Sequence, residues 1–444
     1  MKTIIQGKEQ ISQATIPEIP EWKIIYKRLI AILDHYDPKR TFKLREREAK
    51  IFKELEQKLK DTFIDYALGQ IKIEIAYKWI SQFNKTAKEL IELLKIPGIL
   101  LSKELRSFIE DPRNHLRKKI FIYTHDLLRG RIDLDEYEKR AGPAVRTSFR
   151  TNLRTLYQDW VLITTIKHLA KRGAFIAYPE HKYISLERLG KQKTGTIPPN
   201  LVLYLEGKGY LSFFIEAPRP IGWEDTSDLQ RTWKLYTALR PDVLIYTGKV
   251  LNIVRIGQDP PILRPNIILE CKELEDWYLR VRDLKGPFTK PLTAEEWRSK
   301  WIQGLWTGLA DVLGVTRTEV QETIESRKAI RLKEYQIVTL YKSFYNPDTM
   351  ILVSRSKIPE SIRKDIEYHG IRIIDDVGFN EEKIRELADL LEQYAGGEES
   401  ITIELTGETM KLLKQAYTKL KQQYKDITIQ EVIKKALEKL IEEQ

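Results

Sequence analysis

The chain has 444 residues, 42% of them hydrophobic and 31% charged, which is the composition of a soluble globular protein of about two to four domains. Its net charge of +11 favours an anionic partner, of which nucleic acid is the commonest. A single cysteine excludes an internal disulfide and suits the reducing cytoplasm. No apolar run approaches the ~18 residues of a membrane span, so no membrane partner is expected.

The first part of the chain is predicted to be helical. Residues 1–20 are expected to form an N-terminal arm, and residues 21–138 an all-helical domain. Apolar residues recur every three or four positions in a proline-free stretch, which predicts one helical run over residues 41–82. A second run is expected over residues 86–95 and stops at a Pro-Gly pair.

A stretch without acidic residues follows, from Lys139 to Arg154. Arg146, Arg150 and Arg154 are four residues apart and therefore share one face of a helix. Such a stripe is suited to a phosphate backbone and predicts DNA binding. The alternative is an ordinary solvated basic face beside acidic neighbours.

Short apolar runs bounded by turn residues predict strands in the middle of the chain. The expected elements are a strand over residues 174–178, a hairpin of residues 201–206 and 210–216, and a loop with a short helix over residues 219–239.

Two further buried strands, residues 243–246 and 267–269, each carry an acid at one end. Asp242 precedes the first strand, and Glu270 follows the second. Since side chains alternate along a strand, Glu270 and Lys272 point to one face. If the strands are neighbours, two carboxylates and an ammonium converge, with a returning strand expected over residues 251–256. Carboxylates suit Mg²⁺ or Mn²⁺, and a lysine can orient or deprotonate a water or stabilise charge on phosphorus.

The Pro241-Asp242 pair and the Glu270-Cys271-Lys272 triplet resemble the motif of the PD-(D/E)xK nuclease superfamily. The resemblance implies a restriction-endonuclease-like α/β core over residues 139–395, with a mixed sheet flanked by helices. It also implies hydrolysis of DNA phosphodiesters, with Asp242 and Glu270 as ligands of Mg²⁺ or Mn²⁺ and Lys272 assisting the attacking water. A buried salt bridge or a degenerate site is the alternative.

Many members of that superfamily place a third carboxylate on the first helix of the core. Asp159 is the best-placed residue here, although it does not match the usual glutamate. Glu180, after the strand of residues 174–178, is a rival. Glu216 ends an apolar strand and is a further candidate, but Pro218 stands where a lysine would follow.

The chain after the motif alternates between helices and strands. Helices are expected over residues 293–314, 318–343, 359–369 and 380–394, and strands over residues 349–354 and 371–375. This alternation predicts an α/β layer with at least one parallel pair of strands.

The last segment, residues 400–444, follows a Gly-Gly linker, with a strand expected over residues 401–406 and helices over residues 408–424 and 429–442. This arrangement resembles the ribbon-helix-helix fold, in which two chains pair their strands. That resemblance implies that Thr402, Glu404 and Thr406 face outward to read bases in the major groove. One strand cannot bury its own core, so homodimerisation is expected.

Together these features predict a homodimeric, metal-dependent DNA endonuclease, acting in restriction, defence or mobile-element processing. A non-catalytic, sequence-specific DNA-binding regulator with a degenerate nuclease core is the alternative, and an RNA nuclease would use the same metal chemistry.

Overall fold

The computed structural model of the chain describes residues 19–69, 71, 73–188, 196–220, 235–236, 240–255, 262–284, 300–326, 330–397 and 407–423, with residues 432, 433, 436 and 439. The chain divides into two compact units, Met1–Glu398 and Glu399–Gln444, and each is described by itself. The predicted arm lies outside the described residues except for Ile19 and Pro20. The predicted loop of residues 219–239 does so except for residues 219, 220, 235 and 236.

Helices form much of the first unit. They are α1 (Glu21–Tyr36), α2 (Glu46–Leu68), α3 (Glu74–Leu94), α4 (Lys103–Glu110), α5 (Pro112–Leu128), α6 (Leu134–Ala170), α7 (Lys300–Leu313), α8 (Arg317–Glu325), α9 (Glu334–Tyr345), α10 (Glu360–Tyr368) and α11 (Glu381–Gln393), with a 3-10 turn at Trp277–Leu279. None of the described helices is long and apolar enough to cross a membrane.

The helical run predicted over residues 41–82 is wrong, because the chain turns at Gly69. Gly69 has φ +62°, a conformation that favours glycine, and its N–H caps α2 by bonding to the carbonyls of Asp65 and Tyr66. Helix α3 starts afresh at Glu74 and runs through residues 82–86, where the prediction placed a gap.

The 37-residue helix α6 crosses the boundary predicted between residues 138 and 139. It starts where the side chain of Asp133 accepts a hydrogen bond from the N–H of Glu136 at 2.7 Å. Because residues 21–138 and 139–395 share this helix, the helical segment and the sheet belong to one compact unit.

The centre of the first unit is a seven-stranded sheet with the order β13-β12-β9-β8-β5-β4-β2. Strands β9, β12 and β13 run parallel, and β9, β8, β5, β4 and β2 alternate in direction. The sheet strands are β2 (Phe175–Tyr178), β4 (Leu201–Leu205), β5 (Gly209–Ile215), β8 (Val243–Thr247), β9 (Ile267–Lys272), β12 (Thr349–Ser354) and β13 (Ile371–Ile374). Smaller pairs are formed by β1 (Ile99–Leu100) with β3 (Ile184–Ser185), β6 (Arg219–Pro220) with β7 (Leu235–Tyr236), and β10 (Val281–Asp283) with β11 (Arg331–Lys333).

Helices cover both faces of the sheet, so residues that alternate along its strands are buried on opposite sides. Val243, Ile245 and Leu269 pack into the core formed with α6 and the N-terminal helices. Leu244 and Ile268 pack into a second core with α7 and α9. The predicted α/β class, with a mixed sheet flanked by helices, is confirmed.

Two predicted elements differ from the structure. The returning strand expected over residues 251–256 does not lie between β8 and β9, which pair directly. Of its described residues, 251–255, Val254 alone forms a bridge, with Ile262. The helix predicted over residues 318–343 is broken by β11, which separates α8 from α9.

Gly209 lies where the β4–β5 hairpin meets the chain after α11. Its φ is +99°, and an added Cβ would lie 2.7 Å from the backbone of Gly396. We expect Gly209→Ala to lower the free energy of unfolding by about 2–4 kcal/mol, through backbone strain and this clash. Gly207→Ala is the matched control, because Gly207 also has a positive φ, +71°, but open space around it. Urea unfolding measures both, and equal costs would contradict the close approach.

The second unit contains α12 (Gly407–Gln423), close to the predicted helix. The strand predicted over residues 401–406, and with it Thr402, Glu404 and Thr406, lies outside the described residues. The ribbon-helix-helix arrangement and its dimer therefore stay predictions.

Candidate active site

A cleft opens at one edge of the central sheet. There β5 and β9 end and β8 begins, which places Glu216, Glu270 and Asp242 at neighbouring strand ends. The cleft has an empty volume of about 550 Å³. Among the described residues, its ionisable lining, Cys271 and Tyr341 aside, consists of five acids and five bases: Glu216, Asp242, Glu270, Glu273, Glu334, Arg154, Arg240, Lys272, Arg280 and Arg282.

Strand alternation separates the three residues of the triplet as expected. Cys271 packs into the core on the α6 side of the sheet. Glu270 and Lys272 turn to the opposite side, and the Nζ of Lys272 lies 2.8 Å from Oε1 of Glu270.

Asp242 is held against Glu270 by two backbone hydrogen bonds. The N–H of Asp242 donates to Oε2 of Glu270 at 3.2 Å, and the N–H of Cys271 donates to Oδ2 of Asp242 at 2.7 Å. Each carboxylate thus accepts a hydrogen bond from the backbone at or next to the other acid. The pairing of β8 with β9 therefore brings Asp242, Glu270 and Lys272 together.

Burial and crowding of like charges disfavour the ionised acids. Burial, followed by the charge of Glu270, raises the pKa of Asp242 well above its usual range. The pKa of Glu270 is also raised by burial, against the opposing effect of Lys272. Burial alone would lower the pKa of Lys272, but the charges of Glu270, Glu334 and Asp242 outweigh it, so that pKa is raised. The ionised forms of Asp242 and Glu270 are therefore disfavoured unless a further cation lies beside them.

Glu334 is a member of this cluster that the sequence analysis missed. As the first residue of α9 it is buried, with Oε1 2.7 Å from the Nζ of Lys272 and Oε2 2.5 Å from the Nε of Arg282. The prediction placed it inside one long helix, with no reason to face the motif. The alternation of Ile330, Arg331, Leu332 and Lys333 just before it is the signal for a short strand that would have placed Glu334 at a helix start.

The predicted arginine stripe on α6 is divided among three environments. Arg154 lines the cleft, where burial opposes but the charges of Asp242 and Glu216 prevail, so its pKa is raised. Arg146 is exposed and donates to the carbonyl of Ala67 at 3.3 Å. Arg150 is exposed on a neighbouring groove.

The three candidates for a third acid also separate. Glu216 lines the cleft and forms an ion pair of 2.5 Å with Arg188. Asp159 is 1% exposed within α6 and does not line the cleft; burial, followed by the charges of Glu216 and Asp242, raises its pKa well above the usual range. Glu180 is exposed after β2, which β4 and β5 separate from β8. Geometry therefore favours Glu216 over the other two.

The donor set of the cleft suits a hard cation. Within the described part of the chain, no group of three or more His, Cys, Asp or Glu side chains is arranged to hold a metal. Mg²⁺, however, typically takes only one or two carboxylates from a protein and completes its shell with water and substrate phosphate. Asp242 and Glu270 are two such carboxylates, and a bound cation would favour their ionised forms, so the residues fit Mg²⁺ or Mn²⁺.

Comparison with known proteins gives no relative to guide the assignment. No protein-family model, curated protein or solved structure matches the chain.

Proposed function

We propose that the chain is a metal-dependent DNA endonuclease of the PD-(D/E)xK kind. The observation that carries the proposal is the meeting of Asp242, Glu270 and Lys272 at the ends of two paired strands. The net charge of +11 supports a polyanionic substrate. The mixed sheet between two helical layers is compatible with the restriction-endonuclease-like core that the motif implies.

Each residue of the cleft has a role in this proposal. Asp242 and Glu270 would hold Mg²⁺ or Mn²⁺, which when bound supplies Lewis-acid polarisation of the phosphate and a more acidic water. Lys272, held by ion pairs to Glu270 and Glu334, would donate hydrogen bonds to the water or to the charge developing on phosphorus. Arg154 would face the phosphate from α6. Hydrolysis would leave a 5′-phosphate, as the resemblance implies.

A homodimer formed by the second unit would bring two such sites to one duplex. Support comes from α12, on which Leu412 is 64% exposed and Met410 is exposed as well. Pairing of two chains would cover these apolar side chains and allow both DNA strands to be cut, as restriction or mobile-element processing requires.

Plasmid cleavage tests the enzyme proposal. We expect supercoiled plasmid to be nicked or linearised with Mg²⁺ or Mn²⁺ and to stay intact in EDTA. Glu270→Gln should slow cleavage at least about 100-fold, because it removes charge where the metal and the lysine are held. Glu360→Gln, an exposed carboxylate on α10, is the control and should cut like the wild type.

Two outcomes would contradict DNA cleavage. If plasmid is bound but never cut, and Glu270→Gln is indistinguishable from the wild type, the result would support the non-catalytic DNA-binding regulator instead. Faster degradation of single-stranded RNA in the same assay would identify an RNA nuclease.

A further inference from the structure

A second groove adjoins the cleft and is larger, with an empty volume of about 2020 Å³. It lies between α3 and α6 on one side and the segment after β9 on the other. Glu273, Leu274 and Arg280 line both the groove and the cleft. The groove and the cleft therefore adjoin at these three residues.

Three cations face this groove without a carboxylate partner among the described residues: Lys78 on α3, Arg150 on α6 and Arg280 after the 3-10 turn. Lys78 and Arg150 are exposed. Arg355, by contrast, is occupied by Glu275 at 3.2 Å and stacks over the ring of Trp79 at 5.2 Å. Besides Glu275, two acids of the described lining, Glu273 and Asp276, face the groove. Lys78, Arg150 and Arg280 outnumber these two acids and are therefore available for phosphates.

Apolar side chains line the same groove beside these cations. Ile75 is 40% exposed, and Leu274 and Phe379 are half-buried. Trp79 forms part of the floor beneath Phe379, with ring centroids 5.2 Å apart. A duplex hides the faces of its bases, whereas an unpaired strand offers them for stacking while its backbone meets positive charge. The combination of cations and apolar walls matches an unpaired strand.

We propose that this groove binds an unpaired DNA strand, so that the neighbouring cleft cuts DNA with a single-stranded tail or flap in preference to a plain duplex. The inference rests on the proposed nuclease function for its choice of DNA. Lys78, Arg150 and Arg280 would contact phosphates, and Ile75 and Phe379 would contact bases. The strand would continue past Glu273 and Leu274 towards Asp242, which places the scissile bond near the junction with the duplex.

Binding in EDTA tests the groove separately from catalysis. The probes are a fluorescein-labelled blunt duplex and the same duplex with a tail of about 12 nucleotides. We expect the full-length protein to bind the tailed probe at least about 10-fold more tightly. Arg150→Glu and Ile75→Asp, both at exposed positions, should each abolish most of this difference. Arg150→Gln should lower the salt dependence of tail binding by about 0.7 in the log–log slope.

Lys88→Glu is the matched control, because Lys88 is exposed on α3 but does not line the groove. It should retain the preference for the tailed probe. Equal binding of the two probes, or equal losses in Lys88→Glu and Arg150→Glu, would overturn the proposal even if plasmid is cleaved. Binding of a fluorescein-labelled poly-glutamate peptide, with no binding of the tail, would overturn it in favour of an acidic protein ligand.

A cleavage assay distinguishes failure of the groove assignment from failure of the nuclease proposal. If tail binding is found in EDTA but no metal supports cutting of any DNA, the nuclease proposal fails and the groove assignment stands. If tailed and blunt DNA are cut at the same rate, and Ile75→Asp changes neither, the groove assignment fails and the nuclease proposal stands.

Discussion

Asp242→Asn should give a protein that is more stable than the wild type without metal and inactive with it. Asn keeps a side-chain oxygen that can accept the hydrogen bond from the N–H of Cys271, but it removes the ionisable group beside Glu270. Because the wild-type carboxylates repel each other, we expect a gain of about 1–2 kcal/mol in the free energy of unfolding in EDTA. Loss of one proposed ligand should reduce cleavage at least about 100-fold.

Metal-dependent stability provides a readout besides activity. Mg²⁺ at 100 times its dissociation constant should stabilise the wild type by about 2.7 kcal/mol and leave Asp242→Asn unchanged. Asp283→Asn, an exposed acid that pairs with Arg331, is the control and should behave like the wild type. A variant that is less stable in EDTA, or that still gains stability from Mg²⁺, would contradict the assignment of Asp242.

Lys272→Met should be strongly destabilising, by about 3–5 kcal/mol. It leaves Glu270 and Glu334 buried without the ammonium that bridges them at 2.8 and 2.7 Å. Adding Glu334→Gln should recover at least about 1 kcal/mol, because one of the stranded charges is then removed. Cleavage should stay absent in the double variant, since Lys272 is still missing from the proposed site.

Unfolding in urea, analysed as a double-mutant cycle, measures this coupling. Lys208→Met is the control, since Lys208 forms a surface ion pair with Glu392 and its loss should cost no more than about 1 kcal/mol. If Lys272→Met costs as little as Lys208→Met, the buried cluster does not depend on its lysine.

Local rules were sufficient to predict the meeting of Asp242, Glu270 and Lys272. Alternation along a strand places Glu270 and Lys272 on one face, and an acid at each strand end needs only direct pairing of β8 with β9. The strands of the hairpin and of residues 349–354 followed from the same apolar patterns. Their order in the sheet did not, because pairing depends on contacts between residues far apart in sequence.

The failures have physical causes too. Glu334 joins the cluster through a contact across 62 residues, which no local pattern reports. Helical periodicity continues on both sides of Gly69, so the turn there is visible only in its left-handed backbone. The arginines of α6 share one face as predicted, but packing of other elements against that face assigns each a different neighbour.

The continuity of α6 also determines a length. Arg150 in the groove and Arg154 in the cleft are four residues apart on one helix, a rise of about 6 Å. A strand gripped at Arg150 would therefore present a nearby phosphate to the acids. Because one continuous helix carries both arginines, the distance from the phosphate bound at Arg150 to the cut would be the same for every base sequence.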